Sequence, residues 1–380
     1  MNVTVLDLPR QRCTAHTSFQ VELFDGGKFA DCDWPAIADD RGFQMFVFQS
    51  REFLEVWTST IGKAGGVESY LLVVRNDDGK PVLYLPLAIE TKFNIRILRF
   101  MDCGVADYNA PVMKAGLALS RQEFKSLWAQ VLSLLPRFDV IDLKKIPGEV
   151  SGTINPLTYL GCTSHGEDGH SLLLKGADAA AVGGPSISLR RKLDREHRKI
   201  SELGAVEFIV NPTGELAGLV IKKLFALKRR KYVQTRIPDF LAMPGVADFY
   251  RAIVSAKWLG RIGHLSALLI DNTVISAHIG YVGHGCFYYI LPAYDAAYAR
   301  YRPGHLLLRE LIDRSTQQGN ETFDFGVGDE SYKQAWANRR LPLCDHERAI
   351  TAAGQVYLQM RRVRRFLKSN GVQAWFQRAG

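Results

Sequence analysis

"FDFGVGDESYK" (residues 323–333) contains the Asp-Phe-Gly triplet with which protein kinases hold magnesium. A kinase also needs a Gly-rich loop over the nucleotide, a strand lysine and a His-Arg-Asp loop. None of these occurs in the 380 residues, and no Gly-x-x-x-x-Gly-Lys-Ser/Thr loop occurs either. The Gly-Lys pairs at residues 27–28, 62–63 and 79–80 lack its spacing and its hydroxyl. The triplet has to be read from its place in the chain.

An earlier "FDVID" (138–142) supplies that place. It closes a series that runs strand ("SYLLVV"), turn (Asn76-Asp77-Asp78-Gly79-Lys80), strand, a further strand near 95–101 and a helix over 121–135. That helix carries Phe124, Leu127, Trp128, Val131, Leu134 and Leu135 on one face. "FDFGV" closes the same series: "HLSALLI", a turn at Asp271-Asn272, "TVISAHIGYV", "CFYYIL" and a helix over 304–317. The repeated order predicts a duplicated α/β (α+β) unit with mixed central sheets. Between the copies, Gly183-Gly184-Pro185 reads as a connector. Ser186 or Ser188 then caps a basic helix that ends at Leu203-Gly204 and feeds the strand "AVEFIV". The expected divisions are an extension over 1–40, a first unit over 41–170, a second over 171–350 and a basic helix over 351–380.

Forty-eight Lys and Arg against 39 Asp and Glu give a net charge of +9, which favours an anionic partner: a phosphorylated cofactor, a nucleic acid or a membrane surface. The charge gathers in Arg190–Lys199, Lys228–Lys231 and Arg361–Arg365, where interleaved acids such as Asp194, Glu196 and Glu202 also suit plain solvated helix faces. Residues 272–294 carry no charge, yet two histidines, a Gly283-His284-Gly285 turn and Pro292 make them two buried strands rather than a membrane span. The six cysteines form no Cys-x-x-Cys pair, which argues against a zinc knuckle or a disulfide framework. With no basic and apolar leader at the N-terminus, the expected compartment is the cytoplasm.

In the second copy, "PAYDAAYARYRPGHLLLRELI" places Pro303-Gly304 at a helix start after a strand. Unpaired amides and the positive end of a helix dipole make an anion site there, with Arg300 and Arg302 beside it. An ordinary Pro-Gly helix start has the same sequence.

At this point the chain resembles the CelD/BcsL-type acetyltransferases of the GNAT superfamily. The resemblance is carried by Tyr294-Asp295, Tyr298, Tyr301-Arg302-Pro303-Gly304, Leu307-Leu308, Phe323-Asp324-Phe325-Gly326, Gly328-Asp329-Glu330 and Tyr332-Lys333, in that order. "SLRRKLDREHRKISELGAVEF" and "ISAHIGYV" extend it, as do "LPLAIE" and "DYNAPV" more loosely. It implies two tandem GNAT-like folds, as in the FemABX peptidyltransferases, with the acyl donor in the second. It further implies acyl-CoA as co-substrate, no metal, and an amine or hydroxyl acceptor on a saccharide, exopolysaccharide, cellulose-related or cell-envelope precursor. The general signature [Gln/Arg]-x-x-Gly-x-[Gly/Ala] is departed from: Pro303 stands three residues after Arg300, and Leu306 stands where a small residue belongs.

On this reading Arg300, Tyr301, Arg302, Pro303, Gly304, His305 and Leu306 hold the donor. His278, with a near-neutral unperturbed pKa, is the candidate base, against the alternative of a hydrogen-bonded core histidine. Asp324, at a strand end, is a base, orients His278 or holds the acceptor. Tyr332 protonates the leaving thiolate or simply packs. Asp329 caps the helix "ESYKQAWA"; Lys333 pairs with it or meets an acidic ligand. Asp107 and Tyr108 are acceptor contacts if the cleft lies between the units, or plain turn residues. Two other functions fit the same fold. One is a FemABX-like transferase that takes its donor from aminoacyl-tRNA docked on the basic helices; the other is a non-catalytic partner in exopolysaccharide assembly. On any of these readings no transmembrane segment is expected, and peripheral association with a membrane is compatible with the basic charge.

Overall fold

The computed structural model describes residues 19–39, 41–175 and 186–378. The Gly183-Gly184-Pro185 connector and residues 1–18 and 40 of the expected extension lie outside them.

In the first half the strands are β1 (Gln20–Asp25), β2 (Glu68–Arg75), β3 (Pro81–Lys92) and β4 (Ile95–Phe100), then helix α1 (Arg121–Leu134) and β5 (Val140–Pro147). Ser120 and Glu123 close a capping box at the start of α1, and Phe124, Leu127, Trp128 and Val131 bury its inner face. Leu134, expected on that face, is exposed at the last turn.

The second half holds β6 (Gly169–Leu173), α2 (Ile187–Ser201), β7 (Val206–Val210), α3 (Gly214–Thr235), β8 (Gly263–Ile270), β9 (Thr273–Gly283) and β10 (Cys286–Tyr294). It continues with α4 (Pro303–Gln317), β11 (Thr322–Val327), α5 (Ser331–Trp336), β12 (Arg339–Leu341), β13 (Leu343–Ala349) and α6 (Ala352–Arg378). Of the two serines, Ser186 is the cap of α2, accepting from the Leu189 amide. The uncharged run is β9, a turn and β10. β9 is buried along most of its length because protein covers both faces of its sheet.

Duplication shows in the pairing. β4 and β5 run parallel across α1 (Ile97↔Val140), and β10 and β11 run parallel across α4 (Cys286↔Thr322), whereas the neighbouring pairs are antiparallel. The sheets also exchange strands. β6 and β12 join the second sheet, whose order is β7-β8-β9-β10-β11-β6-β12. β13, placed by the sequence in the second unit, pairs antiparallel with β5 of the first sheet, Leu343 opposite Pro147. β1, placed in the extension, is the edge strand beside β2.

One apolar core spans both halves. Phe48 and Phe53 pack edge-on against Tyr281, Tyr288 and Phe249, with centroids 5.2–5.9 Å apart. The halves therefore share an interior, and a loop of the first reaches the chemistry of the second.

Candidate active site

The parallel pairing of β10 with β11 stops at Tyr288↔Asp324. Past that point the strands part, and Tyr289–Tyr294 on one and Phe325 and Val327 on the other line a cavity of about 960 Å³. It lies near the top of the usual range for small-molecule sites, roughly 300–1,000 Å³. Gly104, Val105 and Asp107 reach it from the first half, Lys228 and Lys231 from α3, and Arg300, Arg302, Pro303, Gly304 and His305 from the start of α4.

A bulge shapes β10. The register with β9 passes from Ile279↔Leu291 to Gly280↔Tyr289, which leaves Ile290 as the extra residue. Its amide donates to His278 Nε2 at 3.2 Å. The His278 ring stacks on Tyr289 with centroids 4.4 Å apart, and it lies where a Cβ on Gly280 would come within 2.4 Å of it. Burial pushes its pKa well below the ordinary histidine value, so the ring is neutral and accepts through Nε2. His278 is fully buried away from the cavity lining, which removes it as the base; it is the partner of the bulge. His278→Phe keeps the stack and removes the acceptor, so thermal or urea unfolding is expected to show a loss of about 1–3 kcal/mol for the orphaned amide.

At the start of α4, Arg302 holds a left-handed backbone (φ 55°), and its carbonyl accepts from the amides of His305 (2.9 Å) and Leu306 (3.1 Å). Pro303 has no N–H. The Gly304 amide is thus the donor left at this helix start, on the cavity wall. A Cβ on Gly304 would lie 3.2 Å from Tyr294 Cδ1, so the glycine keeps a narrow gap open. Arg300 and Arg302 supply positive charge. Tyr301 and Leu306 instead face the core of the second sheet, which explains a leucine where the superfamily places a small residue.

Two carboxyls meet at Gly326. Asp324 accepts from the Gly326 amide (2.7 Å) and from the Tyr108 hydroxyl (2.8 and 3.0 Å to its two oxygens). Asp107 Oδ2 lies 2.1 Å from where a Cβ on Gly326 would be, and the Val327 amide donates to the Asp107 carboxylate. Burial pushes Asp324 up to about 7, against the pull of the Gly326 and Tyr108 hydrogen bonds and with further upward push from Asp107. Burial also raises Asp107, despite the Lys145 and Lys333 ammonium groups. Of the two, Asp107 lines the cavity while Asp324 sits behind it with Tyr108.

The Asp107 loop is held by residues that sequence reading passed over. Asp102 accepts from the amides of Gly104 (2.8 Å) and Ala106 (3.0 Å), pairs with Lys145 (2.8 Å) and accepts from Asn109 (3.0 Å). Gln49 donates to the Tyr108 carbonyl at 2.8 Å. The signal available was Asp102 two residues before Gly104, an Asx turn.

Tyr332 and His305 line the cavity, and burial keeps the Tyr332 phenol protonated far into the alkaline range. Two expectations are corrected. Glu330, not Asp329, occupies the cap position of α5, without a side-chain cap bond, and Asp329 pairs with His170 at 2.9 Å. Lys333 pairs with Glu330 (2.9 Å) and donates to the Val327 carbonyl (2.8 Å), stitching the end of β11 to α5.

Residues 188–334 match the family described as Acetyltransferase (GNAT) domain. No curated protein matches the sequence. Among solved structures, FemX aligns over 79% of this chain and 92% of its own at 10% identity, with a TM-score of 0.50. A conserved protein of unknown function from Bacteroides thetaiotaomicron aligns over 85% and 97% at 11% identity, with a TM-score of 0.50. A tandem GNAT protein from the clavulanic acid biosynthesis pathway aligns over 87% and 98% at 13% identity, with a TM-score of 0.48. The chain has a tandem GNAT-like fold, and its residues 188–334 match a GNAT acetyltransferase domain, which supports an acyltransferase.

Proposed function

We propose an acyl-CoA-dependent N- or O-acyltransferase, most simply an acetyltransferase, whose acceptor is an amine or hydroxyl of a saccharide or cell-envelope precursor, as the CelD/BcsL-type resemblance implies. The observation that carries this reading is the parted strand pair, with a phosphate-ready helix start on one side and the half-buried, cavity-facing Asp107 carboxyl on the other. The residues fit the donor. Gly304 leaves a gap that a Cβ would narrow, its amide is free for a phosphate oxygen, and Arg300 and Arg302 offset the charge.

The bound thioester supplies the acyl group. Asp107 takes the proton of the acceptor, its basicity raised by burial. Asp324 and Tyr108 hold the Gly326 turn against which Asp107 rests. Tyr332, which keeps its proton, donates a hydrogen bond to the leaving thiolate, and the proton that Asp107 removed from the acceptor is the one the thiol finally carries. Lys333 fixes the turn to α5.

Calorimetry tests the donor. Acetyl-CoA is expected to bind, and Gly304→Phe to weaken it by roughly 10- to 100-fold by filling the gap beside Tyr294. Absence of CoA affinity at millimolar concentration would sink the proposal.

The exposed cationic face of α2 supports a second reading. Arg190, Arg191, Arg195 and Arg198 all face solvent, as a docking surface for aminoacyl-tRNA would require. Salt-sensitive tRNA binding that disappears when these four are neutralised, without CoA binding, would select it. A non-catalytic partner would turn over no thioester at all.

A further inference from the structure

The last helix, α6, has two different faces. Its inner face docks on the first sheet: Leu358 packs with Ile97 and Val140, Gly354 approaches the Asp139 carbonyl so closely that a Cβ would fall 2.1 Å away, and Arg361 pairs with Asp142 at 2.8 Å. On the opposite face Val356, Met360 and Val363 recur at helical spacing and are 56%, 67% and 58% exposed, with Phe366 also exposed in the same series. Val356, Met360 and Val363 project away from the docked face of the helix. An apolar stripe on an otherwise polar helix marks a contact surface.

Charge identifies the occupant. From Arg348 to Gly380 the sequence has no Asp or Glu, while α6 holds Arg361, Arg362, Arg364, Arg365, Lys368 and Arg378. Arg362 and Arg364 lie to either side of the stripe on helical spacing. A second copy of the same face would bring cation against cation. A continuous line of aliphatic side chains flanked by arginines fits a flat surface of negative charge over an apolar layer, and no helix among the described residues is long and apolar enough to cross a membrane.

We infer that the outer face of α6 docks on a bilayer rich in anionic phospholipid, with the helix in the plane of the interface, its Val356-Met360-Val363 stripe among the acyl chains and Arg362 and Arg364 at the phosphates. This holds the catalytic body at a membrane surface whatever the acyl donor is.

Co-sedimentation of the full chain with phosphatidylglycerol vesicles, and with neutral phosphatidylcholine vesicles as control, tests it. The wild type is expected to bind the anionic vesicles and to release them as salt rises. Met360→Glu and, separately, Val363→Glu are expected to weaken binding by roughly tenfold or more, and Arg364→Gln by roughly fivefold. The stripe is solvent-facing, so unchanged melting of all three variants separates lost docking from lost folding. The inference is overturned if the wild type ignores anionic vesicles or binds neutral ones equally. It is also overturned if the glutamate variants bind like wild type, if they instead dissolve a dimer seen by light scattering, or if the helix captures a soluble polyanion such as tRNA and no vesicle.

Discussion

Asp107→Asn is expected to lower kcat/KM by roughly 10²- to 10⁴-fold with donor affinity unchanged, the loss usual for a general base. Asparagine keeps the shape of the side chain and its contact with the Val327 amide, so calorimetry with acetyl-CoA should match wild type while turnover collapses. The wild-type pH profile carries a second signature. Burial keeps the Asp107 carboxyl protonated above the ordinary carboxylate range, so activity should climb with pH as Asp107 loses its proton, its titration linked to that of the neighbouring Asp324. The stability sign is opposite. Because the folded state holds the Asp324 proton more tightly than the unfolded one, stability falls as pH rises from the ordinary carboxylate range, about 4, towards 7. An activity profile flat from pH 5 to 9, measured by thiol release, would remove Asp107 as the base.

Gly326→Ala is expected to have the second largest effect. Gly326 holds φ 73°, a conformation that costs a residue with a side chain about 1–2 kcal/mol. The new methyl would also press on Asp107 Oδ2 from 2.1 Å, a buried clash worth roughly a further 1–3 kcal/mol. Urea unfolding should register the sum, and activity should fall below what the residual folded fraction explains, because the carboxyl has been moved. Wild-type activity in a folded Gly326→Ala protein would mean that Asp107 does not act from this position.

The repeated strand, helix and strand order was legible in the sequence because each element announces itself: alternation and turn residues for β2 to β4, period and caps for α1 and α4. The cavity-lining helix start was legible from Pro303-Gly304 and its arginines. What escaped was long-range. Nothing in "LPLCDHERA" tells which sheet β13 completes, since its alternation suits either edge. His278 looked like a base because its residue type permits one; its role follows from a one-residue register slip that no local pattern encodes. Asp107 and Asp324 lie far apart in sequence, and only the meeting of two units at Gly326 makes them a pair.

The return of β13 to the first sheet also sets an order of events in synthesis. The ribosome delivers β5 long before β13, and the intervening residues must build most of a second sheet before the first can be finished. Until then β5 presents an unpaired edge, the surface on which chains aggregate. The first unit is therefore no free-standing module: nascent chain stopped before residue 343 lacks a wall of its own opening half, and the first sheet is completed only as residues 343–349 emerge.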